Sequence, residues 1–140
     1  MRDRDIGYTA GMTVSSFVAR PLIAGMFVYG GLDAFRNPSG KVPKAEAVAP
    51  EIADVVGIDA DTEQLVKFNG AVQIAAGTTL ALGILPRVSA LALAGSLVPT
   101  TLAGHRFWEE EDEAAKAQQT VQFLKNLGMF GGLLMIIEHG

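Results

Sequence analysis

Eight polar side chains sit inside or at the edge of otherwise apolar stretches of this chain of 140 residues: Asp33, Asn69, Gln73, His105, Arg106, Gln122, Lys125 and Asn126. They comprise one carboxylate, one imidazole, two cationic groups and four amides, a set suited to orienting a polar group in an apolar site. No catalytic residue is assigned among them. Asn69 and Gln73 are four apart and share a helix face; so do Gln122, Lys125 and Asn126, spaced by three and four. A charge at depth in lipid costs at least ~2.5 kcal/mol, so Lys125 is expected to face inward and find a partner. Asp33 is the expected one, with Arg106 as the other cation in reach. Two readings of the set stand side by side. One is an intramembrane polar pocket; the other is interhelical hydrogen bonding, which averages only ~0.6 kcal/mol per bond in membrane proteins but is common. Under the second reading Lys125 snorkels to the interface.

Other constellations carry less chemistry. His105 and Glu109 are four apart, but two ligands are too few for a metal. His139 lies at the far end of the last apolar stretch, too distant in depth to clamp a haem with His105. Asp59 to Glu63 resembles a calcium loop without its turn glycine, where Gln64 stands, and reads better as a capping box of Asp61 with Gln64. The run Glu109, Glu110, Glu111, Asp112 and Glu113 reads as a solvated face, or as a surface that docks partners, beside an interfacial Trp108. With no cysteine there is no disulfide, zinc ribbon, iron–sulfur cluster or thiol relay, so any redox chemistry uses borrowed electrons. A net charge of −4 and the absence of a basic stripe interleaved with aromatics exclude nucleic acid as a main ligand.

The elements that must position these groups are read from the charge pattern. Phe68 to Pro86 is nineteen residues without a charge, and Val88 to Gly104 is seventeen more. Val14 to Phe35 is apolar apart from Arg20 and Asp33, and Val121 to Ile137 apart from Gln122, Lys125 and Asn126. Each approaches the ~20 residues that cross a hydrocarbon layer as a helix. A soluble bundle would carry a charged stripe on each helix, which the second and third stretches lack. The expectation is a single all-α domain, an integral membrane up-and-down four-helix bundle with spans near 14–35, 64–85, 88–107 and 117–138.

Pro86-Arg87 is expected to join the second and third spans as a tight hairpin. Between spans one and two, Pro50 to Val56 reads as a short helix with Ile52, Val55 and Val56 on one face and Gly57 as the stop, lying on the bilayer surface or over the bundle mouth. Ala45-Glu46-Ala47 and Ala47-Val48-Ala49 mimic signal-peptide cleavage sites but lie more than ten residues beyond the apolar core, so the first span is expected to be an uncleaved helix. Gly128 with Gly132, Ala71 with Ala75, and Gly25, Gly30 and Gly31 are expected to bring helices close. The up-and-down order places both long loops, and all eight polar residues, in one leaflet. The loop side carries seven basic residues against Arg2, Arg4, Arg20 and Arg87 on the termini side, which favours loops in the cytoplasm and termini outside.

The order of Arg20-Pro21-Leu22, Gly30-Gly31-Leu32-Asp33, Asn69-Gly70-Ala71-Val72-Gln73 with Gly77, and Leu82-Gly83-Ile84-Leu85-Pro86-Arg87 resembles the DoxX family of small four-helix membrane proteins. The resemblance continues through Gly104-His105-Arg106-Phe107-Trp108, Phe123-Leu124-Lys125-Asn126-Leu127-Gly128 and Gly131-Gly132-Leu133-Leu134, and so covers almost the whole chain. Two positions depart from it. The family often has an acidic residue where Gln73 stands and a Lys where Ala34 stands, so a proton-handling or charge-pairing role is not carried over to either. The resemblance implies a multi-pass protein of the bacterial plasma membrane, associated with a quinone-linked oxidoreductase or with thiol and oxidant defence. Two functions follow as expectations. One is an accessory or scaffold subunit, not catalytic alone and with no cofactor in the chain, that contacts lipids, other membrane proteins or a second copy of itself. The other is a redox subunit whose polar pocket holds the head of a quinone or similar small molecule.

Overall fold

A computed structural model describes residues 3–140, and side chains from Val14 onward with Ser15 excepted. Arg2 and the Arg4 side chain, counted above for orientation, lie outside the described residues. The fold is all-α, with no strand among the described residues. Its helices are α1 (Asp3–Arg36), α2 (Val42–Ala45), α3 (Ala49–Val56), α4 (Thr62–Ala81), α5 (Pro86–Gly104) and α6 (Glu113–His139), with short 3-10 turns at Pro38–Gly40 and Phe107–Glu109.

Local chemistry explains most boundaries. Asp61 caps α4 by accepting from Gln64 N at 2.8 Å, while Gln64 Oε1 accepts from Asp61 N at 3.0 Å, the expected reciprocal box. The hairpin between α4 and α5 is longer than the expected Pro86-Arg87, because α4 ends at Ala81 and Pro86 is already the first residue of α5. Ile84 N donates to Thr79 O at 2.8 Å and Gly83 N to Leu80 O at 3.0 Å, which is a Schellman closure with Gly83 at φ +71. Leu85 then takes φ +44, a strained value for a residue with a Cβ. Ser89 Oγ steadies it by donating to Ile84 O at 3.1 Å. Gly57 ends α3 at φ +75, as expected. α6 begins at Glu113, earlier than its expected start near 117, because the Asp112 carboxylate accepts from Ala115 N at 2.9 Å.

The long helices run antiparallel to their partners. The pairs Asn69–Thr100, Gln73–Ser96 and Thr79–Ser89 set α4 against α5, and Thr101–Asn126 with His105–Gln119 set α5 against α6. α1 meets α4 through backbone: a Cβ built on Gly31 would stand 2.7 Å from Gly70 O, and one on Gly70 would stand 2.8 Å from Gly31 O. Of the small residues singled out in the sequence, Gly31 does bring helices together and a Cβ built on Gly132 would stand 3.1 Å from Ile23 Cδ1, whereas Gly25 and Gly128 have open space beside them.

A dry core fills one end of the molecule. Ala24, Phe27, Ala76, Leu80, Ala90, Leu93, Ala94, Leu97 and Leu133 are buried there, four of them alanines that let the helices close together. Outside this core the surface is strongly apolar: Phe17, Leu22, Tyr29, Leu91, Leu124 and Met135 are all exposed. By length and composition two segments, Pro86–Glu109 and Glu113–His139, suffice to cross a membrane. The apolar window of the second is only 11% buried, so its hydrophobic surface is not explained as the core of a soluble protein. Thr62-Glu63-Gln64 and Lys67 place a polar first turn on α4.

The three residues expected on one face of α3 divide in their exposure. The helix turns Ala49, Ile52 and Ala53 inward, whereas Val55 is 87% and Val56 63% exposed.

Gly70→Ala is expected to destabilise the protein, because overpacking costs ~1–3 kcal/mol and exceeds the ~1 kcal/mol gain in helix propensity. Gly95→Ala, with nothing within 4 Å of its new methyl, is expected to be neutral or stabilising. Reversible unfolding in bicelles reads both, and equal effects of the two changes would contradict the close contact.

Candidate functional site

Four side chains from α4 and α5 form a closed hydrogen-bond network at the end opposite the dry core. Ser96 Oγ donates to Asn69 Oδ1 at 2.7 Å and accepts from Gln73 Nε2 at 3.0 Å. Thr100 Oγ1 donates to the Ser96 carbonyl at 2.9 Å and accepts from Asn69 Nδ2 at 3.0 Å and Gln73 Nε2 at 3.3 Å. The Thr100 hydrogen goes to a backbone carbonyl, so the amide atoms of Asn69 and Gln73 that face Thr100 are N–H groups, and Asn69 Oδ1 is left to accept the Ser96 hydrogen. The network therefore fixes the orientation of both amides. Pro99, next to Thr100, lacks an N–H and removes one backbone bond of α5, and Thr100 and Thr101 on its far side bond the carbonyls of Ser96 and Leu97.

Above the network lies a cavity of about 500 Å³. Asn69, Gln73 and Thr100 form its polar floor, and Gly30, Val66, Phe68 and Ala103 contribute to its walls. The chain from Gly40 to Ile52 roofs it, with Lys41 and Lys44 at the rim and Val48, Ala49 and Ile52 turned inward, and His105 stands at the mouth. The volume lies within the ~300–1,000 Å³ of small-molecule sites, as does the pattern of apolar walls with a few placed polar groups. No carboxylate lines it among the described residues.

The eight residues singled out in the sequence divide into separate settings. Asn69, Gln73 and His105 line the cavity, and His105 Nδ1 lies 2.8 Å from Gln119 Oε1, which ties the mouth to α6. Asp33 does not pair with Lys125 or Arg106 as expected. It binds Lys41 Nζ at 2.5 Å and accepts from Asn37 Nδ2 at 3.1 Å, both on the chain leaving α1. Lys125 instead donates to Gln122 Oε1 at 2.7 Å on its own helix and is exposed. Arg106 donates to Leu102 O at 2.6 Å and to Glu109 at 3.0 Å. Asn126 is buried, but in another place. It donates to Thr101 Oγ1 at 2.9 Å and borders a smaller apolar groove of about 180 Å³ between α5 and α6.

The physical reason is proximity along the chain. A partner eight residues away or one helical turn away costs little ordering, whereas a pairing across the bundle must turn a flexible ammonium inward and desolvate it. Sequence reasoning missed the roof residues Lys41, Lys44, Val48 and Ile52 and the Ser96 hydroxyl. The i, i+3, i+4, i+7 spacing of apolar residues at 45, 48, 49 and 52 was the signal available for the roof. Of the acidic run, Asp112 caps α6, Glu109 pairs with Arg106, and Glu111 and Glu113 are exposed. His105 and Glu109, spaced as metal ligands, have separate partners. Trp108 packs edge-on against Phe107 and Phe123, which fastens the mouth to α6.

Ser96→Ala leaves Asn69 Oδ1 and one Gln73 N–H unpaired and is expected to cost ~0.6–1.7 kcal/mol, the range of interhelical bonds in membrane proteins. Lys125→Ala is expected to stay within ~0.5 kcal/mol, as an exposed change does. Unfolding in bicelles checks both, and a larger loss for Lys125 would restore it to the interior.

Comparison with known proteins gives one family. No curated protein and no solved structure matches the chain. The family model of DoxX matches residues 15–106, which run from α1 through α5 and contain the amide–hydroxyl network and the roof of the cavity, while α6 lies beyond the match. With most of its length so matched, and with the two helix segments apolar enough for a bilayer, the chain belongs to the DoxX family.

Proposed function

We propose that the protein is a multi-pass protein of the bacterial plasma membrane, with α1, α4, α5 and α6 crossing as an up-and-down four-helix bundle, and that it is an accessory subunit of a membrane redox complex. Its own contribution is to hold the head of a quinone or a similar small molecule in the roofed cavity. The observation that carries this reading is the cavity itself, about 500 Å³ with amide and hydroxyl groups on its floor and apolar walls around them. Asn69, Gln73 and His105 are the residues proposed to orient the ligand, and Asp33 acts through Lys41 by holding the roof to α1. The chain has no cysteine to carry electrons, so oxidation or reduction of the ligand belongs to a partner.

A second reading, a scaffold that docks membrane or membrane-associated partners or a second copy, rests on the exposed acidic residues Glu109, Glu111 and Glu113. The two readings are compatible within one complex. Lipid contacts fall on the exposed apolar side chains of α1, α5 and α6.

Protein purified in lipid nanodiscs is expected to retain quinone detectable by mass spectrometry, with Asn69→Leu lowering retention about tenfold, the equivalent of ~1.4 kcal/mol. Lys125→Leu is expected to leave retention unchanged, because that ammonium lies outside the cavity; equal retention by both variants and the parent would sink the site. For the scaffold reading, neutralising Glu109 to Glu113 is expected to reduce partner recovery in a salt-sensitive way. The cysteine-free sequence also allows topology to be read directly: Asp59→Cys and Glu111→Cys should be labelled from one side of the membrane and an N-terminal tag from the other. Labelling of the two cysteines from opposite sides would end the four-span bundle.

A further inference from the structure

We infer that the cavity floor is built for a ligand whose head carries a hydroxyl, a phenol or a quinol in preference to a quinone or an ether, an inference that rests on the ligand-holding reading above. The argument starts from the hydrogens of the network. Gln73 Nε2 directs its N–H groups at Ser96 Oγ and Thr100 Oγ1, which turns Oε1 the other way. That oxygen accepts no hydrogen bond among the described residues, although Gln73 is only 5% exposed. It faces Gly30, where a Cβ would come 3.8 Å from it, and Gly30 and Gln73 line the same cavity.

Neither hydroxyl can turn to satisfy it, since the Ser96 hydrogen is held by Asn69 Oδ1 and the Thr100 hydrogen by the Ser96 carbonyl. Asn69, in contrast, keeps a second N–H beyond the one given to Thr100. The floor thus presents one uncommitted acceptor, Gln73 Oε1, and one uncommitted donor, on Asn69. A carbonyl-headed or ether-headed ligand answers only the donor and leaves the nearly buried acceptor desolvated, which is the costly outcome for a polar group. A hydroxyl donates to Gln73 Oε1 and accepts from Asn69.

The preference can be measured without redox chemistry. Full-length protein in lipid nanodiscs is equilibrated by dialysis with para-hexylphenol and, separately, with para-hexylanisole, each corrected for partition into protein-free nanodiscs. The phenol is expected to bind at least about tenfold more tightly than its methyl ether, since a site built around a hydroxyl rejects an analogue lacking the donor. Gln73→Met is expected to bring that ratio close to one, and if this variant fails to fold, the ratio in the unaltered protein is decisive by itself. Anaerobic duroquinol against duroquinone should follow the phenol-to-ether order. Equal binding of phenol and ether would overturn the hydroxyl preference while leaving the ligand-holding cavity in place. Binding of neither above the protein-free control would overturn both.

Discussion

The hydrogen-bond ladder between α4 and α5 is the constraint on which the rest of the molecule depends. Thr79 with Ser89, Gln73 with Ser96, and Asn69 with Thr100 are three rungs spaced along one antiparallel pair. Among apolar neighbours a polar side chain without a partner is expensive, so a slip of either helix would break several bonds together. The register of the pair is thereby fixed over most of its length. α1 is then located by the glycine contact at Gly31 and Gly70, where backbone meets backbone and a Cβ on either residue would clash.

This frame divides the bundle by residue size and polarity. Toward the hairpin, alanines and leucines close the helices into a dry core. Toward the other end the facing residues are amides and hydroxyls, and the chain between α1 and α4 covers the opening instead of filling it. The Pro43 and Pro50 segment has few ways to fold back, and its short inward side chains at 45 and 49 leave the volume beneath it. A polar floor under an apolar roof is a consequence of that arrangement. The match to the DoxX family spans these same elements, so the cavity belongs to the part of the chain that the family shares.

The charged residues on the loop side follow a different logic. Asp33 with Lys41, Lys67 with Glu63, Arg106 with Glu109 and Lys125 with Gln122 are all partners within eight residues of one another. Long cationic side chains reach water or a nearby acceptor at small entropic cost, and exposed pairs of this kind contribute ~0–1 kcal/mol each. They decorate the loop side without organising it. The cavity floor instead uses neutral amides and hydroxyls, which satisfy one another without an ion to desolvate. A carboxylate at position 73 would have lost the donors that bind Ser96 and Thr100, which is why an amide fits this floor.

The sequence by itself determined the four long helices, the capping box at Asp61, the stop at Gly57 and the gathering of polar residues at one end, because each is set by spacing within a segment or by one side chain bonding its own backbone. Family membership was legible for the same reason, through short motifs in a fixed order. Tertiary structure alone decided which polar residues meet. Asn69, Gln73 and Asn126 have the same helical periodicity toward neighbours, yet the rotation of α6 sends Asn126 to Thr101 and a separate groove. Likewise Lys125 and Lys41 are both lysines that the sequence offers to Asp33, and the turn at Asn37 and Pro38 brings the second to it. Helical phase can be read from a sequence, but the relative rotation of two helices and the path of a roofing loop depend on the summed packing of all their neighbours, and that sum exists only in the folded bundle.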